Sequence, residues 1–124
     1  MERVSENETT VFHLHLLANV IDMEAYPFIR MVIQANLSKN EYDELMHLLA
    51  ILNEKYQLQK DEGLLDFSSL LMLLAEKLSE KLQPNELVFA LHKEGYYPEL
   101  MEEFIGIMQF TGQDQALSRN KKRR

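Results

Sequence analysis

At 124 residues, with 46% hydrophobic residues, four glycines, three prolines and no cysteine, the chain is long enough for one buried core and too short for two, and it excludes disulfides and thiolate chemistry. Its net charge of −7 hides an asymmetry, since residues 1–118 carry −12 while Arg119, Lys121, Lys122, Arg123 and Arg124 add +5. An acidic body repels nucleic acid and anionic lipid over its general surface and leaves the tail as the evident cationic handle.

Abundant Leu, Glu, Lys and Met favour helix, and the pattern predicts an all-α, compact multihelical domain of about six helices over residues 1–112, followed by a disordered basic tail at 113–124. After a polar Met1–Asn7, a first helix is expected from Glu8 to Asp22. Its Val11, Phe12, Leu14, Leu16, Leu17, Val20 and Ile21 are spread around most of the circumference, which reads as a heavily buried helix. Tyr26-Pro27 ends that region, because proline disfavours helical geometry in the residue before it yet suits a first helical position. Phe28 to Ala35 forms a short second helix.

Ser38 and Glu41 make a capping box, and a third helix runs from there to Asp61. Tyr42, Leu45, Leu48, Leu49, Leu52 and Tyr56 form its main stripe, with Ile51 and Leu58 one heptad apart on another side. Gly63 is placed to end the helix in a left-handed conformation, and Asp66 to cap the next. From Phe67 to Leu82 a fourth helix carries Phe67, Leu70, Leu71, Leu74, Ala75, Leu78 and Leu82 on one stripe and leaves Met72 and Leu73 outside it. One neighbour does not cover all of these. Ile51, Leu58, Met72 and Leu73 are therefore the expected self-association surface. Pro84 opens a fifth helix that stops before Gly95, and Pro98 a sixth that reaches Phe110, with Thr111-Gly112 ending the body.

No run approaches the ~20 apolar residues of a membrane span. Met1–Thr10, with Glu2, Glu6 and Glu8, lacks the basic start of a signal peptide. A cytoplasmic protein without membrane contact is expected.

Chemistry finds little foothold. His13 and His15 are two apart and diverge on a helix, whereas helical metal ligands need spacings of three or four. Glu44-x-x-His47 matches the helical pair of di-iron bundles, but no second pair accompanies it. Glu99, Glu102 and Glu103 share a polar face and favour the positive N-terminal end of their helix. No phosphate-binding loop or nucleophile elbow is present. No catalytic residue, cofactor or metal ligand is assigned, and a non-enzyme is expected.

The fifth and sixth helices, joined at Gly95-Tyr96-Tyr97, superficially resemble a helix-turn-helix, but the second has no Lys or Arg before residue 111 and would be repelled from a phosphate-lined groove. Weak nucleic-acid association through Arg119, Lys121, Lys122, Arg123 and Arg124 stays open as an alternative. An enzyme or small-ligand carrier with a pocket between helices is a further one. Tyr96 and Tyr97 serve either as an exposed recognition patch or as a cover for the end of the core.

Asp22-Met23, Tyr26-Pro27-Phe28, Leu37-Ser38-Lys39, Gln59-Lys60-x-Glu62-Gly63, Phe67-x-x-Leu70-Leu71, Lys81-Leu82, Glu86, Phe89-Ala90-Leu91, Gly95-x-Tyr97, Glu99-Leu100-Met101 and Phe104-Ile105-x-Ile107-Met108 follow one another in an order that resembles the YhaI-like family of small uncharacterised bacterial proteins. The resemblance covers roughly residues 11–110. It implies a compact multihelical fold, an origin in a Bacillus-like bacterium and self-association, and it supplies no catalytic residue. The leading expectation is a self-associating homo-oligomer, dimer or trimer, with an adaptor or regulatory role.

Overall fold

The structure, a computed structural model, describes the backbone of residues 2–22 and 24–123 and the side chains of residues 7–22 and 24–110. Among the described residues there are six helices and no strand: α1 (Glu2–Val20), α2 (Pro27–Gln34), α3 (Lys39–Asp61), α4 (Ser68–Lys77), α5 (Pro84–Glu94) and α6 (Pro98–Arg123). Along the backbone α6 continues past the expected end at Thr111-Gly112 to Arg123, while the side chains of Arg119, Lys121, Lys122, Arg123 and Arg124, and so any role of the expected basic tail, lie outside the described residues.

Local signals set most helix ends. Ser38 Oγ accepts the Glu41 N–H at 3.1 Å and Glu41 Oε1 accepts the Ser38 N–H at 2.9 Å, so the capping box opens α3 as its sequence requires. Pro27, Pro84 and Pro98 occupy first helical positions, where a missing N–H costs nothing. Three helices close in the same way. After α2, α3 and α5, the residues Asn36, Gly63 and Gly95 take left-handed φ values of 56°, 87° and 85°. In each case the next residue reaches back across the turn, as in the Leu37 N–H to Val32, Leu64 N–H to Gln59 and Tyr96 N–H to Leu91 bonds. These six-residue closures satisfy carbonyls that the helix leaves orphaned, and glycine or asparagine makes them at little steric cost.

Helix α4 ends at Lys77, five residues short of the expected Leu82. Leu78 is already extended, with ψ at 142°. Ser79 Oγ accepts the Lys81 N–H at 3.2 Å, a local bond that competes with helix continuation, and Pro84 biases the preceding residue towards extended geometry. Leu82 is nevertheless buried, delivered to the core by a turn rather than by a helix face. At the other end Asp66 Oδ1 accepts both the Ser68 N–H (2.9 Å) and the Ser68 hydroxyl (2.6 Å) just ahead of α4.

The core joins Phe28 of α2, the Leu45, Leu49, Leu52 and Tyr56 stripe of α3, Leu70 and Leu74 of α4, Leu87, Val88 and Leu91 of α5, and Leu100, Met101 and Phe104 of α6. Two of its aromatic contacts are edge-on, with Tyr56 4.8 Å from Phe67 and Phe28 5.3 Å from Tyr96. Tyr96 and Tyr97 are half-buried and packed on the core, so they cover its end. No buried side-chain polar atom is unpaired among the described residues.

Helix α1 departs from expectation. It begins at Glu2, before the expected Glu8, and every described side chain from 7 to 22 is exposed. Its described large apolar residues range from 47% exposed at Leu16 to 83% at Val20. The heavy burial read from its pattern does not occur within one chain: apolar spacing reports how much surface a helix has to cover, not which molecule covers it.

Candidate functional site

The described surface gathers its unsatisfied character in apolar residues. On α1 and just after it, Val11, Phe12, Leu14, Leu16, Leu17, Val20 and Ile21 remain in solvent. They follow one another within 11 residues and wrap the helix, so no rotation of α1 hides them in water. Elsewhere the exposed large apolar residues are more dispersed, including Ile29 and Ile33 on α2, Leu58 on α3, Leu65 in the following loop, Met72 on α4 and Phe89 on α5.

Of the four residues assigned to a self-association surface from the sequence, Leu58 is 60% and Met72 70% exposed, while Ile51 is half-buried and Leu73 packs against the core. Two of the four thus present free area. Sequence periodicity placed more weight on them than on α1, where the exposed apolar surface is larger.

Among the described residues, concavities flank the bundle. One, of about 630 Å³, lies between α2 and α5, with Met31, Phe89 and Ala90 along it and Arg30, Lys81, Lys93 and Glu86 around it. Another, of about 350 Å³, lies beside α3 and the turn after α4, and is lined by Glu44, His47, Ile51, Lys77 and Leu78 among others. Glu44 and His47 therefore share a cavity as the i, i+3 spacing requires. Among the described residues, however, no group of three or more His, Asp or Glu side chains is arranged to hold a metal ion. His13 rests near the Phe12 ring, 5.9 Å between centroids, and His15 is exposed.

The polar groups near these surfaces are tied into structure. Lys81 Nζ reaches Glu41 Oε1 at 2.7 Å and donates to the Asn36 carbonyl at 3.3 Å, joining the end of α2, the start of α3 and the turn before α5. That ammonium, with the Ser38 N–H, holds the Glu41 carboxyl below its ordinary value. Lys60 pairs with Glu99 at 3.2 Å, and His92 Nε2 lies 3.4 Å from Glu102. Two of the three glutamates on the polar face of α6 thus tie neighbouring helices. Glu94, at the end of α5, accepts the N–H groups of Phe28 and Ile29, the latter at 3.2 Å, and so caps α2 from 65 residues away.

No described helix is long and apolar enough to cross a membrane. The matching family model covers residues 1–109, which includes α1, the whole buried core and both concavities, and its description is "Protein of unknown function (DUF1878)". The chain belongs to this uncharacterised family, DUF1878.

Proposed function

We propose that this DUF1878 protein is a non-enzymatic, self-associating helical protein of adaptor or regulatory type, and that α1 supplies the contact area for a dimer. The observation that carries this reading is the exposure of all seven large apolar residues between Val11 and Ile21. Full burial of such a side chain is worth about 1.5–3 kcal/mol, so covering residues already about half exposed recovers on the order of 1 kcal/mol each. One helix offers several kcal/mol. Association costs about 4–15 kcal/mol in lost freedom, so a symmetric dimer that covers two copies of α1 gains where a single docked helix roughly breaks even. The resemblance to the YhaI-like family, with the self-association it implies, supports the same reading.

The test is the solution mass of the full chain beside the Phe12→Ser, Leu17→Ser double variant. Wild-type protein is expected to associate and the variant to run as a single chain with unchanged helical circular dichroism. Equal association of the two would remove α1 from the contact.

A further inference from the structure

The groove between α2 and α5 runs against the charge of the body that carries it. Arg30, Lys81 and Lys93 surround it against Glu86 alone, on residues 1–118 that together carry −12. Lys81 is occupied by Glu41 and the Asn36 carbonyl, whereas Arg30 and Lys93 have no ion pair among the described residues. These two lie at one end of the groove, because Glu94 holds the last turn of α5 against the first turn of α2. Between the cations the surface is apolar, with Met31, Phe89 and Ala90.

One segment of the chain has the complementary character. Residues 2–24 hold five Asp or Glu against Arg3 alone, with Glu2, Glu6 and Glu8 ahead of the apolar stretch Val11–Ile21. The helical part of that stretch, Val11–Val20, is about 15 Å long, close to the about 16 Å of the 11-residue α5, whose Glu86, Phe89, Ala90 and Lys93 line the groove. The chain's own α1 is directed elsewhere. None of its described side chains lines the groove, and every one of them from 7 to 20 is exposed.

We propose that α1 of one protomer docks in the α2/α5 groove of a second copy, its apolar residues over Met31 and Phe89 and its acidic amino-terminal turns towards Arg30 and Lys93. Reciprocal docking closes a two-fold dimer. The proposal rests on the self-association reading and names the surface that receives α1.

A charge exchange in the full-length chain tests it. Arg30→Glu with Lys93→Glu reverses the groove, and Glu6→Lys with Glu8→Lys reverses the helix. Each double variant alone is expected to associate about tenfold or more weakly than wild type at low salt, because like charges then meet. An equimolar mixture is expected to regain the wild-type dimer mass, since both groove contacts in the mixed dimer are again complementary. A misfolded variant cannot be rescued in this way. Wild-type affinity in either variant alone, or no recovery on mixing, overturns the groove assignment while leaving self-association standing. A monomeric wild-type chain overturns the self-association reading itself.

Discussion

Glu94 links α2 to the bundle by a device that secondary-structure pattern does not display. Helix α2 is only eight residues long and has no side-chain cap of its own at Tyr26, so its first N–H groups depend on a carboxylate from α5. Replacing Glu94 with Ala is expected to lower stability by about 1–2 kcal/mol in urea unfolding, the usual cost of a lost cap. The Asp66 and Glu41 carboxylates act more locally and give a pH dependence of known sign. The Ser68 hydroxyl and N–H hold Asp66 below its ordinary 3.8, and Lys81 followed by the Ser38 N–H holds Glu41 below 4.5. Both values are depressed in the folded state, so the associated stability is complete above the ordinary values and is lost as pH falls through the folded ones. The urea midpoint is expected to drop as pH is lowered from about 5 to about 3, with a shallower drop in Glu41→Gln.

At the scale of elements, most signals that act within a few residues were legible in the sequence and those that act through space were not; Asp66, expected to cap α4, instead bonds Ser68 across Phe67, which takes the N-cap position without a side-chain cap bond. Ser38 with Glu41, the three prolines, Gly63 and Gly95 mark helix ends by rules of local backbone geometry, and the structure places ends at each. Asn36 closes α2 by the same rule, but asparagine is common in loops and does not announce a left-handed turn as glycine does. The end of α4 was obscured because Leu78 and Leu82 continue its apolar spacing by coincidence; a turn carries them to the same core. The α2/α5 groove draws its cations from positions 30, 81 and 93, a separation over which no spacing rule operates. Within α4 the two sides are expected to respond differently. Leu74, fully buried, should cost about 2–5 kcal/mol when replaced by Ala. Met72, 70% exposed, should change stability by less than about 0.5 kcal/mol when replaced by Gln. Chemical denaturation of the two variants side by side checks the assignment.

For the whole molecule, the core is completed by α2 to α6, and α1 adds none of its described side chains to it. A chain of this size has little core to spare, and a helix with six large apolar residues in water, and Ile21 just beyond it, is a cost unless something covers it. A second copy is the economical cover, because it brings an identical helix and an oppositely charged groove to the same encounter. The family match from residue 1 to residue 109 spans both the helix and the groove. Light scattering of the untagged full-length chain across the micromolar range tests this claim most directly. The expected mass is twice 14.6 kDa, giving way to the single-chain value only on dilution; a mass of 14.6 kDa throughout would contradict self-association.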